Sequence, residues 1–397
     1  MRWAFSLAFL FFGIFTFDTG SIKWALLGIS FYSTPLILQF SKSQDIHIYS
    51  LWIGVFLILQ TFLTNFLIDR DYKTLPPNMR EVINIKSGVP GVSGKQLITT
   101  DFKGFRTTKT IDYTDDKPYR IFAIGGSTTE QLFLDDKSTW THLLQQNLSK
   151  ENKLDVEVIN TGVSGLRANN HLSTLREIIN LNPDLVLFLV GINDWNRHIA
   201  QNFNKNYDVT VGKFSRENLL FSQSLLGKFI KGAFRYASTL SKDKKTPERD
   251  EFGDYFIRGS LDRSDVFSFT PGSVANEYVD TLSEISLLCK KQKIKCMFIT
   301  QPTGYQEGAT EDFKKDFWMT PPNQNYTVDF GSMVRLASLY NSFLIKFAKD
   351  KNHFICDPAS KLPPTVMTFQ DDCHFSLTGA KNMGAIVTSC VSQIIDK

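Results

Sequence analysis

Four short blocks in the 397-residue chain carry the residue types that acyl transfer needs: Gly125-Gly126-Ser127, Asn160-Thr161-Gly162-Val163-Ser164-Gly165, Gly191-Ile192-Asn193-Asp194 and Asp371-Asp372-Cys373-His374. A serine hydroxyl is a weak nucleophile unless a base takes its proton. An imidazole titrates close to neutral pH and suits that task. Ser127 is therefore the candidate nucleophile and His374 the candidate base. A carboxylate beside the imidazole would fix its tautomer and stabilise the imidazolium. Asp371, three residues before His374, can take that place, and Asp372 competes for it. The oxyanion of the tetrahedral intermediate needs donors, and the backbone N–H groups of Ser127 and Gly165 with the side-chain amide of Asn193 meet the need. Each such donor is typically worth about 3 kcal/mol in the transition state. Taken singly, every block also has a plain structural reading. The serine block could be a phosphate-binding turn or a strand-to-helix cap, Gly165 a turn and Asn193 a tie within its own loop. Asp194 reads as a cap.

These residues are useful only if the chain brings them to one place. Ile121–Ile124 reads as a fully buried strand running into Gly125. Ser138–Leu148 follows with apolar residues at helical spacing, then Val156–Ile159 as a strand. His171–Leu181 is helical and is stopped by Asn182-Pro183. Leu185–Val190 is the most apolar strand of the polar part of the chain. After an interruption the pattern resumes with a helix at Val279–Lys291, a strand at Ile294–Thr300, a helix at Met333–Ala348, a strand at Phe354–Cys356 and a last helix at Ser376–Ile395. Such alternation implies an α/β fold with a mainly parallel sheet covered on both faces. In a doubly wound sheet the strand ends carrying Ser127, Gly165 and Asn193 gather at one edge.

The four blocks, in this order, resemble those of the SGNH hydrolases, the GDSL-like esterase family. The resemblance covers about 119–200 and 275–395. It implies a flavodoxin-like three-layer α/β/α sandwich and a Ser127–His374–Asp371 triad. The same resemblance implies an oxyanion hole of Ser127, Gly165 and Asn193, with no metal and no cofactor. The family includes lipases, carbohydrate acetylesterases, thioesterases and some acyltransferases. One departure is Gly126, where the family's commonest serine block has Asp. The resemblance further implies a lean in substrate, since membrane-anchored relatives often act on O-acyl groups of envelope glycans. The expected activity is therefore hydrolysis of an O-acyl, chiefly O-acetyl, ester on a glycan or glycolipid. An acyltransferase using the same residues and an idle glycan-binding module are the alternatives.

The N-terminal region, 1–68, holds three charge-free apolar runs, Trp3–Phe17, Trp24–Phe40 and Ile48–Ile68. A helix rises about 1.5 Å per residue and must cross about 30 Å of hydrocarbon. The third run is long enough, the second is at the lower limit, and the first is shorter. We expect about three transmembrane helices, a connector over 69–118 and the hydrolase-like domain over 119–397, interrupted by an insertion at about 200–275. Pro76-Pro77 and Gly88, Gly91 and Gly94 make the connector read as loop-rich. Its Asp101-Phe-Lys-Gly-Phe-Arg106 turn has no role legible in sequence. Within the insertion, apolar residues from Leu219 to Phe234 could line an ordinary amphipathic helix, an interfacial membrane helix or a lid. Lys242–Asp254 reads as a flexible charged loop.

The chain is expected to be an integral membrane protein with its catalytic domain outside the cytoplasm. The formal charge of +4 and the absence of a dense basic block argue against nucleic acid as a partner. The five cysteines, Cys289, Cys296, Cys356, Cys373 and Cys390, show no C-x-x-C spacing, so zinc is not indicated. They are read as buried free thiols, with a Cys356–Cys373 bridge as the alternative. Trp195, Tyr305 and Trp318 could stack on a sugar, though each is read first as core.

Overall fold

We describe the chain from a computed structural model, which covers residues 71–115, 117–152, 155–203, 248–251, 266–317 and 327–395. Nearly all of these fall in one compact unit drawn from 73–209 and 243–397; a second unit, 1–72 with 210–242, is described only at Asp71 and Tyr72. The three apolar runs and the Leu219–Phe234 segment lie outside the described residues. Among those described, no helix is long and apolar enough to cross a membrane.

The connector is more regular than its proline and glycine content implies. It forms strands β1 (Arg80–Ile85) and β2 (Gly94–Thr99), paired antiparallel. The main sheet begins with β3 (Tyr119–Gly125). A single helical turn, α1 (Ser127–Glu130), follows directly. Helix α2 (Trp140–Asn152) then leads to β4 (Val156–Asn160), α3 (Ala168–Ile178), β5 (Leu185–Leu189) and α4 (Ile192–Phe203). Part of the charged segment read as a loop is strand β6 (Glu248–Glu251), which lies parallel to β1 and makes the small sheet three-stranded. The chain continues through β7 (Val266–Phe267), α5 (Asn276–Gln292), β8 (Lys295–Ile299), α6 (Glu311–Lys314) and β9 (Thr327–Val328). It closes with α7 (Phe330–Asp350), β10 (Phe354–Cys356) and α8 (Leu377–Ile395).

The main sheet has the order β10-β8-β5-β3-β4, and every pair in it is parallel. Counted along the chain that is 2-1-3-4-5, the flavodoxin-like order. Strands β4 and β5 are buried at every residue, and β3 at all but Tyr119. Continuous apolar runs rather than alternation are what strands covered on both faces require. Right-handed crossovers place α2 on one face and α3, α5 and α7 on the other, and α8, which follows the last strand, joins α2. The helix contacts agree: α2 packs on α8, α3 on α5 and α4 on α7. Between the layers, Phe188 stacks on Phe298 with ring centres 5.3 Å apart. The order reverses between β3 and β5, so the segment after β3 sits at the switch point where such sheets bind ligands.

The cysteine expectation is corrected. Cys289 is joined to Cys296 and Cys356 to Cys390, while buried Cys373 keeps its thiol. The cause is tertiary. Lys293 ends α5 in a left-handed turn that sends the chain straight into β8, bringing the Cα atoms of Cys289 and Cys296 within 6.4 Å. Helix α8 packs against β10, leaving the Cα atoms of Cys356 and Cys390 5.9 Å apart. Trp195 and Tyr305 are core residues at 0% and 1% exposure, and Trp318 lies outside the described residues.

Candidate active site

Strand β3 delivers Gly125 and Gly126 to the sheet edge, and Ser127 opens α1. The first N–H groups of a helix have no partner within it, so the Ser127 N–H is available to a ligand. Far along the chain, the segment before α8 folds back on itself. Phe369 and Phe375 form an antiparallel bridge, and the Gln370 N–H donates to the His374 carbonyl at 2.7 Å. Ser376 caps α8 by accepting from the Gly379 N–H at 3.1 Å. This hairpin presents His374 to Ser127 across the sheet edge. Nε2 lies 2.7 Å from Ser127 Oγ, and Nδ1 lies 2.7 Å from Asp371 Oδ2.

Asp371 is fully buried, and its other oxygen, Oδ1, accepts the backbone N–H groups of Cys373 at 2.9 Å and His374 at 2.8 Å. Burial alone would raise this carboxyl. The His374 imidazole, its hydrogen bond and the two backbone donors outweigh burial and hold the group at about 2. Asp372 points elsewhere: its Oδ2 accepts the Tyr305 hydroxyl at 2.6 Å. The acid facing the imidazole is Asp371, the one the resemblance implied. Asp371, Cys373 and His374 also set three potential metal-ligand atoms within 4.8 Å of one another. Both imidazole nitrogens already face Ser127 and Asp371, which suits a hydrogen-bonded relay better than a ligand set.

Of the expected oxyanion donors, the Asn193 amide stands over Gly126, the residue before Ser127. The second block runs beside β3 to its end, with the Val163 N–H donating to the Gly125 carbonyl at 3.3 Å. Gly165 has a φ of +79°, the left-handed region that a residue with a Cβ rarely adopts. Asn193 lies in the first turn of α4, and its Nδ2 donates to the Leu166 carbonyl at 2.8 Å. A primary amide has a second N–H left to offer. Asp194 acts as a tie, but not within its own turn: its carboxylate accepts the Ala168 N–H at the start of α3, with both oxygens at 3.2 Å.

Three residues beside the site had no sequence signal that named a role. Glu130 is buried and accepts both the backbone N–H and the hydroxyl of Ser164 at 2.5 Å. Burial raises its carboxyl, with the Ser164 bonds and the Arg106 charge opposing. Gln301, two residues past the end of β8, accepts the Thr128 hydroxyl at 3.3 Å. Arg106, from the connector turn, is buried with Asp136 as its ionic partner at 2.6 Å.

Residues 123–231 match the family model described as GDSL-like lipase/acylhydrolase. The matched span includes Ser127, Gly165 and Asn193 and ends before Asp371. Residues 123–231 thus carry the likeness to a GDSL-like lipase/acylhydrolase domain. No curated protein matches the chain in sequence. Among solved structures it is similar to the acetylxylan esterase Axe2 of Geobacillus stearothermophilus. That match has 16% identity and a TM-score of 0.39, over 69% of this chain and 94% of Axe2. A GDSL-like lipase of Bacteroides thetaiotaomicron matches at 16% identity and a TM-score of 0.36, over 72% of this chain and 92% of its own.

Proposed function

We propose that the protein is a membrane-anchored serine esterase that hydrolyses an O-acyl ester, in the first instance an O-acetyl ester, on a glycan or glycolipid. The observation that carries the reading is the line of contacts from Ser127 Oγ through His374 to Asp371, with 2.7 Å on each side of the imidazole. His374 takes the Ser127 proton as Oγ attacks the ester carbonyl, then returns it to the leaving alcohol. Asp371, charged at any working pH, holds Nδ1–H and stabilises the imidazolium. The N–H groups of Ser127 and Gly165 and the Asn193 amide receive the oxyanion. Water then repeats the sequence on the acyl-enzyme and frees the acid. Each half-reaction needs only proton transfer and hydrogen bonding from these side chains.

Anchoring rests on the apolar runs of 1–68. An extracytoplasmic domain is supported by the Cys289–Cys296 and Cys356–Cys390 disulfides, since such bonds persist in oxidising compartments. The test is p-nitrophenyl acetate hydrolysis by the full-length chain and by Ser127→Ala, both checked for folding by circular dichroism. Loss of the nucleophile is expected to reduce kcat at least about 1,000-fold. Equal rates for the two proteins would refute the reading.

A further inference from the structure

Arg106 belongs to the Asp101-Phe-Lys-Gly-Phe-Arg106 turn of the connector, outside every block that acyl transfer uses. Its surroundings are nevertheless built around the nucleophile. The side chain is 2% exposed. Nε donates to Asp136 Oδ1 at 2.6 Å. Nη1 donates to the carbonyls of Glu130 at 2.5 Å and Gln131 at 2.7 Å, and Nη2 to the carbonyl of Leu134. The guanidinium therefore closes the C-terminal end of the helical turn that Ser127 opens. A cation belongs there, because the last carbonyls of a helix have no partner within it and carry partial negative charge.

The backbone of Arg106 holds the second block as well. Its N–H donates to the Asn160 carbonyl at 2.9 Å, extending β4 by one bridge. The Asn160 side chain then joins the two loops directly, donating to the Thr129 carbonyl at 2.6 Å and accepting the Gly162 N–H at 2.9 Å. On the far side Glu130, whose carbonyl Arg106 holds, grips Ser164 through its carboxylate. Gly165 is the next residue.

We propose that Arg106 is a positioning residue for the esterase reaction, holding the Ser127 turn and the loop that carries Gly165 at the separation an oxyanion requires. The proposal rests on the hydrolase reading above. Arg106 touches neither the substrate nor the reacting atoms. Its effect passes through the placement of donors used mainly in the transition state, so its loss acts on kcat and not on KM.

The charge assignment makes Arg106→Lys the informative variant. An ammonium keeps the ion pair with Asp136, but it lacks the planar fork that reaches three carbonyls together. The isosteric Asn160→Asp is the second variant. It keeps the acceptor for Gly162 but replaces the donor to Thr129 with a carboxylate oxygen. Wild type, Ser127→Ala and both variants are compared as full-length chains for kcat and KM on p-nitrophenyl acetate, with melting curves. The expected result is a loss of kcat of about 30-fold or more in a folded variant, with KM within about twofold of wild type. Ethyl-fluorophosphonate labelling of Ser127 should slow in parallel, since it too places charge on the oxyanion site. Should Arg106→Lys not fold, Asn160→Asp carries the same expectation. Folded variants with unchanged kcat, or with losses confined to KM, would overturn the proposal while leaving the hydrolase reading intact. Wild type no faster than Ser127→Ala would overturn both, and the Ser127→Ala comparison tells the two failures apart.

Discussion

Asp194 lies in the first turn of α4, 9% exposed, and its carboxylate holds the Ala168 N–H at the start of α3. Burial raises its carboxyl from 3.8 to about 7; the Ala168 N–H and the charges of Arg167 and Arg197 oppose this, and Glu277 reinforces it. A folded-state pKa above the unfolded one means the fold prefers the neutral acid. The contribution of this group is fully present below about pH 3.8 and is lost as pH rises from about 4 to about 7. A gap of about three pH units, at 1.36 kcal/mol each, is worth about 4 kcal/mol, an upper value because the site retains some contact with water. Asp194→Asn keeps an acceptor for Ala168 and cannot ionise. Urea denaturation of the two proteins should give similar stabilities at pH 4 and a gap favouring the variant by about 2–4 kcal/mol at pH 8. Buried His171, held down to about 3 by burial, costs stability as pH falls below about 6.5. It is common to both proteins and drops out of the difference. A gap that does not change between pH 4 and pH 8, or a variant less stable at pH 8, would refute the reasoning.

Further expectations concern the relay and the cross-links. Asp371→Asn should reduce kcat on p-nitrophenyl acetate by about 10⁴-fold, because the Cys373 and His374 N–H groups keep the amide oxygen and leave the NH2 to donate to Nδ1, which holds the wrong tautomer. Cys373→Ala should stay within about threefold of wild type, since the thiol stands 3.7 Å from the nitrogen that Asp371 holds at 2.7 Å. Removing the Cys356–Cys390 bridge, with a sequence separation of 34, should cost about 4 kcal/mol in the chain-entropy account. Removing Cys289–Cys296, with a separation of 7, should cost about 2 kcal/mol. Paired alanine variants followed by urea titration measure both, and the reverse ranking would count against loop closure as the source.

The order of strands and helices was legible because each strand of the main sheet is short, apolar and bounded by a turn. Leu185–Leu189 has every residue buried and could hardly be anything else. Ser127 and Asn193 could be picked out because each follows such a strand with chemistry attached, and His374 because Asp371 stands three residues before it. Other features depend on partners remote in sequence. The charged strand Glu248–Glu251 looks like a loop in isolation and becomes a strand only because β1 offers it an edge. Arg106 gives no periodic or motif signal, since all its side-chain acceptors but one are backbone carbonyls, which any sequence supplies. The disulfides were missed for the same reason. Cys390 meets Cys356 only once α8 packs beside β10.

Gly126, the one departure from the commonest serine block, has a physical explanation in the same geometry. A Cβ built at Gly126 would stand 2.8 Å from Asn193 Nδ2 and 3.3 Å from the Leu166 carbonyl oxygen. Those two atoms are bonded to each other at 2.8 Å. The space that a side chain at 126 would fill is therefore held by the Asn193 amide, drawn in over the backbone just before Ser127. Gly165 is adjacent to Leu166, so the hydrogen bond that seats the amide also seats the loop bearing the backbone donor. Glu130 fixes Ser164 on the other side of Gly165, and Arg106 fixes the Glu130 carbonyl. The Asn193 amide and the loop carrying Gly165 are thus tied into one continuous set of contacts running from the connector to α4. From Lys73 on, the connector belongs on these grounds to the same compact unit as Ser127 and His374.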